Sequence, residues 1–367
     1  MRRPLTKVIV AVSTLVLGIG AACAEEENVL NVYNWSDYIA EDTLAKFTAE
    51  TGIKVNYDVY DANEVLETKL MAGASGYDVV FPSATPFLAN QIKADIYRKL
   101  DKTKLRNWGN LDKQVLTTLA VADPGNEYAA VYTVAATGFG YNVSKVRQLL
   151  PDAPLDSWSM IFDPKIVAKI KGCGVTLLDS PTEVFPAALR WLGKDPKSLA
   201  IDDLNAAAET VTHIRANLKY IHSSSYINGL SNGDVCLAHG YVGDLVQARQ
   251  RAKEAGKGVE IAVVIPKEGA QVNIDVMAIP KDAPHPDNAH KFIDFILRAD
   301  IIAAITNATG YANGVPAADK LVDPTLRGDP AVYPPAEVQA KLFMLPVAPK
   351  DFERARTRAW AKVKTRY

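Results

Sequence analysis

Apolar and polar residues alternate over residues 29–35 (VLNVYNW), which predicts a strand with one face turned inward. Over 41–51 the apolar residues recur at helical spacing through Leu44 and Phe47, and Gly52 ends the run. A strand at 53–60 and a helix at 63–71 follow, the helix carrying Val65, Leu66 and Leu70 on one face. Residues 77–81 form a short apolar run closed by Pro82-Ser83, and 86–95 is helical again. Strand and helix thus alternate three times, which predicts a parallel sheet covered by helices. The middle and end of the chain repeat the theme. Strands are predicted at 175–178, 235–239, 259–265 and 276–279. Helices are predicted at 184–192, 201–218, 243–255, 289–297 and 301–306, with a basic helical tail at 352–364.

The sequence contains no internal repeat and no long low-complexity linker, so the two α/β units are expected to pack as two lobes. Several predicted strands end in polar residues: Trp35-Ser36-Asp37, Ser83, Asp179-Ser180 and Gly240-Tyr241. Ligands in open α/β sheets sit outside the carboxyl ends of strands, so these ends are expected to face a cleft that can close on a ligand.

Length agrees with this organisation, because 367 residues correspond to about two domains. Charge narrows the partner. The chain has 41 Lys+Arg against 42 Asp+Glu, which argues against a nucleic-acid binder that relies on bulk positive charge. Arg2, Arg3 and Lys7 precede an apolar run from Val8 to Ile19, and Ala22-Cys23-Ala24 gives a small-x-small site. Residues 1–24 therefore read as a secretory signal cut after Ala24, the run being shorter than the ~20 residues a membrane span needs. Without them the balance is 38 basic to 42 acidic, a net charge of −4. Cys173 and Cys236 then remain as a disulfide or as two buried thiols. An exported chain favours the bridge, which would close a loop of about 60 residues and contribute about 4 kcal/mol.

Catalytic patterns are missing. His213, His222, His239, His285 and His290 show no metal-ligand spacing, Gly73-Ala74-Ser75-Gly76 is not a nucleophile elbow, and Gly138-Phe139-Gly140 lacks the third glycine of a dinucleotide fingerprint. The chain is therefore read as a binding protein, with no cofactor. What does recur is carboxylate beside aromatic: Trp35-Ser36-Asp37-Tyr38, Tyr241-Val242-Gly243-Asp244, Asp275 before the strand at 276–279, and Tyr311 after Gly310. An organic ammonium needs this pairing, because a carboxylate gives a charge-assisted hydrogen bond and an aromatic face adds ~0.5–2 kcal/mol of cation–π attraction.

The segments NVYNWSDYI (31–39), TGIKVNYDVYDANEVLETKLMAG (51–73), YDVVFPSA (77–84), GYNVSKV (140–146), KGCGVTLLD (171–179), IHSSSYINGLSNGD (221–234), YPPAEVQAKLF (333–343) and RTRAWAKVK (356–364) resemble the periplasmic polyamine-binding proteins of bacterial ABC importers, most closely their putrescine-binding branch. The resemblance covers essentially the whole chain after residue 24. It implies a two-lobed α/β solute-binding fold with the ligand between lobes, one built from 25–135 plus 257–305 and the other from 136–256 plus 306–367. It implies a periplasmic monomer that hands a di- or polyamine of the putrescine or spermidine class to an inner-membrane ABC permease. A related sensor, or a carrier of cadaverine, agmatine or an ω-amino acid, is the alternative. Carried over by position, the ligand contacts are Trp35, Ser36, Asp37, Tyr38, Ser83, Thr85, Glu183, Tyr241, Asp244, Asn273, Asp275 and Tyr311. The resemblance also pairs Cys173 with Cys236. Several of these residues equally suit structural tasks: Ser36, Asp37 and Asp244 as helix caps, and Glu183 as a first-turn acid. The chain departs from the putrescine branch at Tyr241 (usually Trp), Asn273 (usually Phe), Gly310 (usually aromatic) and Thr85 (usually Ser). The acids are kept while the aromatic wall is thinned, so extra room and a ligand that differs from putrescine in length or end group are expected.

Overall fold

The computed structural model describes residues 26–365, so the predicted signal segment and its cut after Ala24 lie outside the described residues. Ten strands are present among the described residues: β1 (Val29–Trp35), β2 (Lys54–Tyr60), β3 (Val79–Val80), β4 (Ala129–Asn142), β5 (Val175–Leu177), β6 (Tyr220–Ile221), β7 (Leu237–Tyr241), β8 (Ile261–Val264), β9 (Val272–Ala278) and β10 (Ala312–Asn313). They form two sheet sections that share β4. In the first, the order is β2-β1-β3-β9-β4, with β10 on the far side of β4. In the second, β4 lies between β8 and β7, and β5 and β6 follow β7.

The parallel pattern expected from the strand–helix alternation is present in part. β1 runs parallel to β2 and β3, and β5 runs parallel to β6 and β7. The sheets as wholes are mixed, because β4 is antiparallel to β7, β8, β9 and β10. The cause is the path of the chain. β4 enters the second section between Ala136, paired with Val272, and Thr137, paired with Tyr241. The chain returns through residues 265–271 into β9. These two segments cross between the sections side by side, Thr137 N–H donating to the Gln271 carbonyl at 3.0 Å, and the chain crosses again between β10 and the tail helix.

β4 has 14 residues and was not predicted. It is buried along almost its whole length, so it lacks a polar face, and its alanines and glycines are weak strand formers. The Gly138-Phe139-Gly140 run has a packing purpose. A Cβ at Gly138 would sit 2.2 Å from the Val264 carbonyl oxygen, and one at Gly140 would sit 2.8 Å from Leu245 Cδ2. Any larger residue would push β8 and the helix Val242–Ala255 off β4. By pairing, β8 lies in the second section and β10 in the first, a division different at those two points from the 257–305 and 306–367 segments read from the sequence.

Helices cover both sections. Thr43–Thr51 stops at Gly52, whose φ of 73° is left-handed and whose N–H reaches Thr48 O. The helix Val242–Ala255 begins directly after β7, so Asp244 lies inside its first turn rather than capping it. β9 likewise starts earlier than expected and contains Asp275. The tail helix Lys350–Thr365 packs on the second section: Trp360 Nε1 donates to Asp179 Oδ1 at 2.7 Å, and its ring meets Phe185 at 5.4 Å. Cys173 and Cys236 are disulfide-bonded, with Cα atoms 5.5 Å apart. The bond ties the approaches to two neighbouring strands, β5 and β7. Leu30, Phe81, Tyr132, Phe139, Trp158 and Tyr226 are among the fully buried side chains, each contributing roughly 1.5–3 kcal/mol of burial.

Candidate functional site

The carboxyl ends of β1, β3 and β7, the middle of β9 and the first turn of Val242–Ala255 converge between the two sections. They line a narrow chamber with about 20 Å³ of free volume. Its wall includes Trp35, Ser36, Tyr38, Ser83, Tyr241, Asp244, Asn273, Asp275 and Tyr311, nine of the twelve positions expected. Asp61, Ala135, Ser223 and Ser224 complete it. The wall carries three carboxylates and no lysine or arginine.

Two of these acids are buried, and hydroxyls hold them in place. Asp244 accepts from Tyr226 Oη at Oδ2 and from Tyr311 Oη at Oδ1, each at 2.7 Å. Asp275 accepts from Tyr38 Oη at 2.6 Å and from Ser83 Oγ at 2.5 Å. Tyr38 is fixed further by Thr133, and Ser83 by Asn63. Burial pushes Asp244 up to about 7, although its tyrosine hydrogen bonds pull the other way. Burial likewise pushes Asp275 up to about 6 against its bonds to Ser83 and Tyr38. Both resist ionisation when no cation faces them.

Aromatic rings frame the acids. Trp35 meets Tyr241 edge-on at 5.8 Å, and Tyr38 meets Tyr311 at 4.7 Å. Trp35 is fixed by its indole N–H, which donates to the Phe81 carbonyl at 2.8 Å. Tyr311 fits only because residue 243 is glycine, since a Cβ there would lie 2.2 Å from its ring. The arrangement offers π faces and acids to a cation with a methylene chain.

The remaining three expected residues lie elsewhere. Glu183 stands behind the wall: Thr137 Oγ1 donates to its Oε2 at 2.5 Å, and the amides of Gln271 and Asn273 donate to its Oε1 at 3.0 Å. Burial pushes it up to about 7, and the nearby acids Glu64 and Asp275 add to the rise. Thr85 is buried, and its hydroxyl has no partner. Asp37 is exposed, has φ of 54°, and its carboxylate pairs with Arg251 at 2.6 Å across the lobes. Its carbonyl accepts from Gln247 Nε2 at 3.1 Å. Asp37 is therefore placed as a tie between lobes, not as a wall of the chamber.

The expected extra room also needs correction. Gly310 does not border the chamber. It caps the helix Ala299–Thr309 with φ of 73°, and a Cβ there would meet Val246 at 2.7 Å, so the space is already filled. Asn273 does line the chamber, with its amide engaged by Glu183. Sequence reasoning missed Tyr226, Ser223 and Ser224, all within the segment 221–234 that carried the resemblance. Their signal was a run of hydroxyls without a charge.

Arg251 and Asp37 are about a third and two-fifths exposed, so their pair is worth at most about 1 kcal/mol. Arg251→Ala should weaken ligand binding no more than about fivefold, and the effect should shrink as salt rises. A salt-independent loss of tenfold or more, measured by calorimetry, would mean that Arg251 acts in some other way.

The match to the family model of bacterial extracellular solute-binding proteins spans residues 42–334. The putrescine-binding periplasmic protein SpuD of Pseudomonas aeruginosa is 52% identical over 347 residues, covering 94% of each chain. PotF, a putrescine-binding periplasmic protein of Escherichia coli, is 50% identical over 359 residues, covering 97% of this chain and 96% of that one. Among solved structures, the TpPotD lipoprotein of Treponema pallidum superposes with a TM-score of 0.76 at 28% identity, over 92% of this chain and all of the other. With most of its length matched, this chain belongs to the family of bacterial extracellular solute-binding proteins.

Proposed function

We propose that the protein is a periplasmic carrier that captures a linear di- or polyamine between its lobes and delivers it to an inner-membrane ABC permease. The observation that carries this reading is a chamber with two buried carboxylates, Asp244 and Asp275, that have no ion-pair partner among the described residues and are set among tyrosine and tryptophan rings. A neutral solute would leave both acids uncompensated, and an anion would be repelled. A protonated amine answers each acid with a charge-assisted hydrogen bond, and the rings take its methylenes. The names of SpuD and PotF, both putrescine-binding and periplasmic, point the same way. The contacts proposed are Trp35, Ser36, Tyr38, Ser83, Tyr241, Asp244, Asn273, Asp275 and Tyr311, with Asp37 holding the lobes together. The protein works as a monomer, its chemistry is binding alone, and the permease reads the closed pair of lobes. Closure is stabilised by the ligand's greater affinity for the closed form.

Thermal unfolding tests this directly. Putrescine at about 1,000 times its Kd should add about 4 kcal/mol of stability, while the diol of the same length should add none. Equal stabilisation by the diol, or stabilisation by an anionic solute alone, would refute the amine reading.

A further inference from the structure

The segments that cross between the sheet sections are hydrogen-bonded to one another. Thr137 N–H donates to the Gln271 carbonyl at 3.0 Å, Phe343 N–H to the Ala270 carbonyl at 3.1 Å, and Val272 N–H to the Phe343 carbonyl at 2.9 Å. Residues 136–137, 270–272 and 343 thus form one narrow band. On one side of it Ala136 pairs with Val272 in the first section, and on the other Thr137 pairs with Tyr241 in the second. A rotation of one lobe against the other has to pass through backbone in or beside this band.

The return crossing, 265–271, lies between β8 and β9 and belongs to neither. It is nevertheless fastened to the second lobe along its length. Lys267 N–H donates to the Asp156 carbonyl at 2.8 Å. The Glu268 carboxylate accepts from the Ser157 hydroxyl and, at 3.2 Å, from Trp158 N–H. The Gly269 carbonyl accepts from the Trp158 indole N–H at 2.9 Å, and the Gln271 amide donates to Glu183 at 3.0 Å. Trp158 is a firm anchor: it is fully buried, and its ring packs near Phe139 of β4 at 6.2 Å and His239 of β7 at 5.5 Å. Lys341, in the third crossing, closes the outside, its Nζ donating to the Lys267 carbonyl at 2.8 Å. The approach is close, since a Cβ at Gly269 would lie 2.4 Å from the Lys341 carbonyl oxygen.

We propose that Glu268 and Trp158 form a clasp that holds 267–271 as part of the second lobe and confines the bending between lobes to the junction of Ala136–Thr137 with Gln271–Val272. Asp275 follows Val272 on β9, and Asp244 follows Tyr241 on the next helix, so the place where the chain bends sets how the two acids meet across the chamber. The clasp keeps the empty protein close to arrangements from which the lobes can close. Without it 265–271 becomes a flexible tether, fewer empty molecules are competent to bind, and the apparent affinity falls by that fraction. The effect on affinity rests on the amine reading above; the place of bending does not.

The test combines hydrogen–deuterium exchange with putrescine calorimetry at about pH 8, on wild type, Glu268→Ala, Glu268→Gln and Ser157→Ala. Peptides from 265–271 should exchange slowly in wild type, empty or loaded. Glu268→Ala should speed exchange there by about tenfold in the empty protein, leave the rest of the second lobe unchanged, and regain most of the protection with ligand. Its putrescine affinity should fall by about threefold or more. Glu268→Gln keeps an acceptor oxygen and should lie between wild type and Glu268→Ala. Ser157→Ala keeps the bond from Trp158 N–H and should show the same effects more weakly, which decides the matter if Glu268→Ala does not fold. Unchanged exchange at 265–271 overturns the clasp. Faster exchange with unchanged affinity overturns its part in binding. If wild type binds no amine, the amine reading falls, and exchange in the empty protein alone decides the clasp.

Discussion

Asp244→Asn should lower amine affinity by about 100-fold, which corresponds to about 2.7 kcal/mol. The carboxylate is buried and aligned by two tyrosine hydroxyls, so its charge acts on a bound ammonium with little screening by water. Asparagine keeps the shape and loses the charge, and its own N–H groups would point at a cation. The same substitution should raise the stability of the empty protein at about pH 8. Asp244 titrates near 7 when folded, against an ordinary value of 3.8. A carboxyl whose folded value is raised lends stability at low pH, and that stability is lost as pH climbs through the folded value. Wild type at pH 8 carries this cost and the amide variant does not. Asp244→Asn should therefore melt higher when empty and gain only about 1.4 kcal/mol from the putrescine concentration that gives wild type about 4. Unchanged affinity would remove Asp244 from the site, and a lower melting point when empty would mean that its charge is already compensated.

The second large effect is that of pH on binding. A carboxyl titrating near 7 is ionised in only about 1 molecule in 100 at pH 5, and one titrating near 6 in about 1 in 10. The amine stays protonated throughout this range. Affinity should therefore rise by about 100-fold or more from pH 5 to pH 8, levelling off above about 7. Between those limits, binding should release protons, because the cation pulls the acids into their charged form. Calorimetry in buffers of differing ionisation heat reads this release directly. A pH-independent affinity with no proton release would mean that the acids are ionised before the ligand arrives.

Much of this site was legible along the chain because its parts sit where local patterns end. β1 and the helix Asn63–Met71 have the limits that alternation and helical spacing predict, and the ends of β1, β3 and β7 carry Trp35, Ser83 and Tyr241 into the chamber. Position along an element showed which residues point at a cleft. It did not show what faces them across it. Asp37 looks identical in sequence to a ligand-binding acid, yet Arg251, 214 positions away, claims its carboxylate. Glu183 and Asn273 are 90 positions apart, and their hydrogen bond turns an expected gap into a polar wall. Gly310 was expected to open space, but Val246 already fills it. β4 escaped notice because a strand buried on both faces by two lobes has no alternation to read.

Titration calorimetry of the mature protein at about pH 8 against putrescine, cadaverine, spermidine, agmatine and γ-aminobutyrate tests the central claim most directly. At least one of the cationic amines should bind at micromolar Kd or tighter, and γ-aminobutyrate, whose carboxylate would meet Asp244 or Asp275, should bind far more weakly or not at all. Tight binding of γ-aminobutyrate with none of the amines would contradict a site built for cations.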